Sequence, residues 1–355
     1  MSAALEVLDG GVGTTVQDLG RRGRRHWGVA LAGALDPWWA RAAHALLDNP
    51  PEAALLELRL LGPRLRAEGA AVRVAVVGDV AATVERAAGA RQPLPGWCSV
   101  TLQPGDALRL GAVQGLAYLA VAGGLDVPLV LGSRATHERT AMGGLQGRAL
   151  RAGDRLPCAA ADADPGVERR ADPLPDDDGP IRVLWGPQDD HFTPAVRALF
   201  VQADWRLTPE RDRMGMRLAG PALAHTSPAH ADIVSDGVAP GAIQVPASGQ
   251  PILLLADAQT VGGYPKIATV IQADLGRLAR WPSQRPLRFA AVTLQQAHAA
   301  LHARRPAWDA WAARRQVWRP PGYLDESRLY GANLISGVLR AALDDAPPAG
   351  LEDGS

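Results

Sequence analysis

Apolar residues in this chain come in short runs, and each run is closed within a few positions by glycine or proline, of which there are 38 and 29 in 355 residues. Punctuation this dense breaks long helices and favours strands joined by tight turns, so the chain is predicted to be mainly β. Strands are expected at Val72–Val77, Ser99–Leu102, Ala107–Leu110 and Leu116–Val121. A second set is expected at Arg182–Trp185, Trp205–Leu207, Ala242–Val245 and Ile252–Leu255. Their spacing suits barrels or sandwiches better than alternating βαβ units.

Helices are few and carry explicit start signals. Asp36-Pro37 pairs an N-cap with proline at the first helical position and opens a helix ending near Asn49. Thr193-Pro194 repeats that signal, and Thr293 caps a helix expected to reach Leu301. A last helix is predicted over Asp325–Leu343. The C-terminus therefore reads as a helical appendage on a β body.

The stretch from Leu156 to Pro180 is built of Ala, Asp and Pro with almost no large apolar residue, as expected of a linker. It separates a first unit, 1–157, from a second, 181–292, with 158–180 as linker, 293–345 as helical extension and 346–355 as a flexible tail. Leu61-Gly62-Pro63-Arg64-Leu65 after the first helix is echoed by Ala219-Gly220-Pro221-Ala222-Leu223 after the second, which suggests an internal duplication.

Composition removes several classes of function. Lys+Arg and Asp+Glu are 37 each, so the net charge is zero, against the basic surface that nucleic acid or an anionic membrane requires. Cys98 and Cys158 are too few for a disulfide framework. No secretory start and no apolar run near ~18 residues is present, so a cytoplasmic chain without membrane spans is expected. The sequence also lacks a phosphate loop, a GxSxG elbow, and CxxC or HExxH metal motifs. His298 and His302 fall on one helical face, and Trp38-Trp39 with Trp308 and Trp311 can form either a ligand platform or packing contacts.

Polar chemistry collects in Gly-marked segments. Lys266 is the single lysine of the chain, which singles it out for a task needing a compact ammonium. It closes Asp257-Ala258-Gln259-Thr260-Val261-Gly262-Gly263-Tyr264-Pro265-Lys266, where paired glycines let backbone approach a ligand. In Thr14-Thr15-Val16-Gln17-Asp18-Leu19-Gly20-Arg21, period 2 sends Thr15 and Gln17 to one face and Asp18 to the other. That segment suits either a ligand or a capped, salt-bridged turn. Ser133-Arg134 offers an Arg fork for a carboxylate or phosphate, or for an acid at a unit interface. Gln188-Asp189 stands at a strand end, Arg213 follows Asp212, and Gln244 sits in an apolar strand.

The segments TTVQDLGR, LAVAGGLDVPLVLGSRAT, GPQDD, DRMGMRLAGP, GAIQVPASGQPILL and DAQTVGGYPKIA, in this order, resemble the carboxyltransferase domain A/B family. That family spans C subunits of bacterial 5-oxoprolinases, KipA-type proteins, second subunits of allophanate hydrolase-like pairs and a region of urea amidolyases. The resemblance covers roughly residues 5–290. It implies two tandem cyclophilin-like β-barrel units that work beside a KipI-like, allophanate hydrolase subunit 1-like partner. In oxoprolinases a LamB/YcsF-like subunit joins them, and the assembly opens 5-oxoproline to glutamate with ATP and Mg²⁺. A stand-alone chain without a biotin-carrier region, and so without bound biotin, looks most like the oxoprolinase type. Carboxyl transfer from carboxybiotin on a partner, and KipA-like regulation without turnover, are the competing expectations.

Phosphorylating a lactam oxygen prepares it as a leaving group for attack by water, a step that needs cations and amide donors around developing charge. On the resemblance, Lys266, Arg213 and Arg134 are expected to stabilise charge and Gln188 and Gln244 to orient the amide. Asp189 or Asp257 is expected to handle a proton or metal. Asp18 and Arg21 would complete the cleft, and Thr15, Gln17, Ser133, Thr260, Gly262, Gly263 and Tyr264 would bind substrate or nucleotide. Three departures stand out: Val261 replaces an expected second threonine, Glu210-Arg211-Asp212 varies the residues before Met214, and the Arg41–His44 run lacks an expected asparagine.

Overall fold

The computed structural model describes residues 2–159 and 167–319. The chain is mainly β, as expected, with two curled sheets in tandem and four α-helices among the described residues. The first sheet has eleven strands, drawn from residues 4–170 with one short strand at Gln316–Val317. Its spine is the antiparallel pair Val72–Glu85 and Ala107–Val121. Along the main path this pair is flanked by Cys98–Leu102 on one side and by Arg64–Glu68, Ala4–Asp9 and Arg155–Pro157 on the other.

Every strand expected from the apolar runs is found, with shifted bounds, the one at Val72 running on to Glu85. Ala107–Leu110 and Leu116–Val121 are parts of one strand of 15 residues that passes through Gly111 and Gly115. The expected strand at Trp205 starts one residue later, at Arg206–Arg211. The register of the spine shifts at Gly78, whose φ is +123° and whose missing Cβ would lie 2.7 Å from that of Ala117. Glycine lets the two long strands close on each other there.

The second sheet has seven strands in the order Arg206–Arg211, Gly215–Ala219, Ile252–Leu254, Ala242–Gln244, Lys266–Val270, Ile181–Trp185 and Phe289–Ala291. All neighbours are antiparallel except the last pair. A separate two-stranded ribbon joins Asp236–Gly237 to Val261–Gly262.

Helix α1 (Pro37–Ala45) begins where the sequence places it, with the Asp36 carboxylate accepting from the backbone N–H groups of Trp38 and Trp39 at 2.9 and 3.2 Å. It stops short of Asn49, whose side chain is engaged instead with Val121 O and Gly123 N. Helix α2 (Pro194–Gln202) starts under the Thr193 cap, so each sheet is accompanied by one nine-residue, proline-initiated helix. After the short α3 (Leu275–Ala279), α4 (Leu294–Ala313) carries the full capping box of Thr293 and Gln296. It continues well past Leu301, through Pro306, because Trp308 and the buried Trp311 anchor its far end against Trp38 and Trp97. The helix expected over Asp325–Leu343 and the tail 346–355 lie outside the described residues.

Two main cores result. One lies inside the first sheet, around Leu56, Val74 and Leu119. The other joins α1 and the opposite face of that sheet, through Ala75 and Tyr118, to Val183, Ile243 and Leu253 of the second sheet. The described part of the linker follows this seam, where Asp176 accepts from Arg280 at 2.7 Å and Asp172 O from Trp311 Nε1 at 2.7 Å.

Candidate functional site

In the first unit the Thr14–Arg21 segment and the Val130–Thr136 loop lock together. Asp18 is nearly buried, and its Oδ1 accepts from Ser133 Oγ at 2.6 Å and from Gly20 N at 2.8 Å, while Oδ2 accepts from Arg134 N. Gln17 donates to Thr15 Oγ1 at 2.9 Å and to Thr136 O at 3.1 Å, and accepts from Gly33 N at 3.1 Å. The Arg21 guanidinium donates to Val130 O and Ala135 O. Its Nη1 is buried without a partner among the described residues, as are the hydroxyls of Thr14 and Thr136. Burial lowers the Arg21 pKa, against the pull of Asp18 and Asp257. Of the six residues singled out here, only the head of Arg134 is turned partly to solvent, with Nε donating to Val127 O at 2.8 Å.

Between the units lies a buried charge network. Arg213 makes a bidentate pair with Asp257, Nη2 to Oδ1 at 2.9 Å and Nε to Oδ2 at 3.0 Å, and donates through Nη1 to Glu57 and through Nη2 to Gly33 O. Glu57 in turn accepts from Tyr118 Oη at 2.9 Å and from Leu35 N at 2.8 Å. Burial would lower the Arg213 pKa, but Glu57 and Asp257 outweigh it and hold the group firmly charged. Burial, with Glu57 beside it, keeps the Tyr118 phenol neutral. The structure thus spends Arg213 and Asp257 on each other and on tying the units together. His137 Nε2 reaches the same point, 3.3 Å from Asp257 O.

The third cluster is in the second unit. Lys266 opens the strand Lys266–Val270, and its ammonium donates to Asp236 Oδ2 at 2.9 Å. Gln188 bridges the two residues, accepting from Lys266 N at 3.2 Å and placing Nε2 3.5 Å from Asp236 Oδ2. The Lys266 side chain is 4% exposed and that of Asp236 is 53% exposed, so the carboxylate covers an ammonium that is otherwise enclosed. Hydrogen bonding to Lys266 holds the Asp236 carboxyl below its ordinary range. Gly186 makes the close approach possible, since a Cβ there would lie 2.0 Å from Lys266 O.

Tyr264 and Gln244 continue this surface, with Gln244 Nε2 donating to Tyr264 O at 3.4 Å and packing where a Gly262 Cβ would stand at 2.6 Å. They line a cleft of about 530 Å³ together with Arg211, Arg217, Gln259 and Met214. Thr260 and Gly263 serve the ribbon through their carbonyls, which accept from Val238 N and Ile233 N. Asp189 is turned away into an ion pair with Arg197 of α2.

Lys266, Gln188, Gln244, Gly262 and Tyr264 therefore belong to one surface, Arg213 and Asp257 to the buried seam, and the Thr15–Arg21 and Ser133–Arg134 residues to a third place. Asp236, Glu57 and His137 were not singled out in the sequence. Glu57 had a signal, a lone acid inside Leu55-Leu56-Glu57-Leu58, whereas Asp236 in Ser235-Asp236-Gly237 looks like any turn. Among the described residues no group of three or more His, Cys, Asp or Glu side chains is arranged to hold a metal ion, and no helix is long and apolar enough to cross a membrane.

Tandem curled sheets, a polar seam between them and a lysine at one strand end place the chain in the class of two-unit carboxyltransferase domains. The family model for carboxyltransferase domain, subdomains A and B, matches residues 27–291, and the chain belongs to that family. It is similar to the 5-oxoprolinase C subunit of Escherichia coli, 38% identical over 82% of this chain and 93% of that protein. The corresponding 5-oxoprolinase protein of Haemophilus influenzae is 36% identical over the same shares. Urea amidolyase of Lachancea kluyveri is 32% identical, but this chain covers 17% of it. Among solved structures, Kluyveromyces lactis urea amidolyase aligns with a TM-score of 0.78 at 26% identity, over 92% of this chain and 20% of that one.

Proposed function

We propose that this chain is the C subunit of a cytoplasmic, ATP-dependent 5-oxoprolinase, acting with a KipI-like subunit and a LamB/YcsF-like subunit to open 5-oxo-L-proline to L-glutamate. The observation that carries the reading is the extent of the relationship: two 5-oxoprolinase C subunits are matched over 93% of their length. The urea amidolyases are matched over only 17% and 16% of theirs.

The Lys266 cluster supports the same reading in chemical terms. The lactam oxygen attacks the γ-phosphorus of ATP and ADP leaves. Water then adds at the ring carbon, the C–N bond breaks with the nitrogen leaving as an amine, and hydrolysis of the acyl phosphate gives glutamate and phosphate. Negative charge grows on oxygen at each stage, and an enclosed ammonium with fixed amide donors stabilises such charge without reorganising. Lys266 serves as the charge stabiliser, released from Asp236 as an anion enters, while Gln188 and Gln244 orient the amide. Arg134 serves the partly exposed edge of the first unit, and Arg213 and Asp257 position the seam. Asp236 is the one carboxylate of this cluster, so Mg²⁺ brought with ATP would take further ligands from phosphate oxygens and partner subunits.

A second reading, carboxyl transfer from carboxybiotin on a partner, is favoured by the family relationship to urea carboxylases. Glutamate release from 5-oxo-L-proline by the reconstituted three-subunit mixture, with each subunit omitted in turn and avidin added in parallel, separates the readings. Release that needs this chain and ignores avidin is the expected result. Inhibition by avidin would move the assignment to carboxyl transfer, and no release from a stably formed complex would leave a KipA-like regulator.

A further inference from the structure

A cavity of about 260 Å³ lies between α1, the 31–35 segment, Leu255-Ala256 and helices α3 and α4. It shares no lining residue with the cleft beside Tyr264 and Gln244. Its walls are mostly apolar, with Leu19, Leu31, Leu35, Leu255, Leu275 and Leu301 the largest of them after Trp38, and Gln272 adds one side-chain amide. Two charged residues line it, Arg22 and Arg41, and neither makes an ion pair with the described residues. No acid is among the lining side chains.

Arg41 is held in an unusual way for a surface cation. Its guanidinium stands 5.3 Å from the Trp38 ring centroid, and its Nε is buried with no hydrogen-bond partner among the described residues. Burial lowers its pKa, and the charges of Arg22 and Arg305 push in the same direction with Glu52 opposing. A buried donor left unmade, beside a second cation of like charge, is unfavourable in the free protein and is relieved by an anion. The fork of a guanidinium fits a planar carboxylate bidentately. The leucine-rich walls favour an anion that carries an apolar body over a compact, strongly hydrated phosphate. The volume is below the ~300–1,000 Å³ of sites for drug-sized ligands, so the ligand is small.

We propose that this cavity binds a small organic monocarboxylate, with its apolar body among the leucines and its carboxylate between Arg22 and Arg41. The site stands apart from the proposed oxoprolinase reaction and is tested on the full chain alone, without ATP or partner subunits, so failure of one reading leaves the other untouched. Benzoate, benzamide and inorganic phosphate are titrated by calorimetry at low salt. Benzoate is expected to bind at least tenfold more tightly than either of the others. Arg41→Met is expected to weaken benzoate at least tenfold, and Ala256→Leu, which fills the cavity while keeping both arginines, to abolish binding with the thermal midpoint retained. Equal binding of benzoate and benzamide, no binding of benzoate, or benzoate binding unchanged in folded Ala256→Leu would each overturn the proposal.

Discussion

Glu57 and Arg213, 156 positions apart, form an ion pair shut off from solvent, one from the first sheet and the other from the turn leading into a strand of the second. Asp257 completes the arrangement, so one guanidinium faces two buried carboxylates. Removing the cation strands both acids, a mechanism worth about 3–5 kcal/mol. Arg213→Met is therefore expected to lower the unfolding free energy by about that amount in urea titrations. Glu57→Gln leaves Arg213 paired with Asp257 and should cost only about 1–3 kcal/mol. The double variant should cost less than the sum, because the two residues share one interaction.

His44 supplies a pH dependence. It is buried in α1 with Nδ1 3.2 Å from Asn49 Nδ2, and burial pushes its pKa down from 6.5 to about 4. The unfolded chain thus binds a proton between pH 6.5 and 4 that the folded chain refuses, so stability is full above pH 6.5 and falls as the pH drops toward 4. The loss amounts to about 3 kcal/mol. His44→Asn, which removes the titrating group, should flatten this part of the curve. Urea midpoints at pH 7.5 and 4.5 for both proteins measure it.

Gly186 is required by proximity rather than by conformation. A Cβ there meets Lys266 O at 2.0 Å, whereas one at Gly237 meets nothing within 4 Å. Gly186→Ala must push the Lys266 strand aside and is expected to cost about 1–3 kcal/mol. Gly237→Ala should change stability by no more than about 0.5 kcal/mol. Thermal unfolding of the two single variants side by side checks the contrast.

Much of this architecture can be read from the residues because its signals are local. Asp36-Pro37, Thr193-Pro194 and Thr293 each start a helix within one residue of the expected place, since capping depends only on neighbours in sequence. What escapes is set by tertiary contact. The strand Ala107–Val121 runs through two glycines because the long partner Val72–Glu85 supplies its hydrogen bonds, and α4 passes Pro306 because Trp311 is buried beyond it and Trp308 packs against Trp38. The site shows the same division. Lys266 is conspicuous by its rarity, but its partner Asp236 lies 30 positions earlier in a separate ribbon, and nothing in the local sequence marks it.

Lys266 is the residue on which the functional account depends most. The most direct measurement is the rate of glutamate formation from 5-oxo-L-proline and ATP by the three-subunit complex assembled with Lys266→Ala, compared with the native complex, with assembly verified by size-exclusion chromatography. Loss of an enclosed charge stabiliser predicts a rate lower by roughly 10²–10³-fold in a fully assembled complex. An unchanged rate in that complex would contradict the assignment of the Lys266 cluster as the site of the reaction.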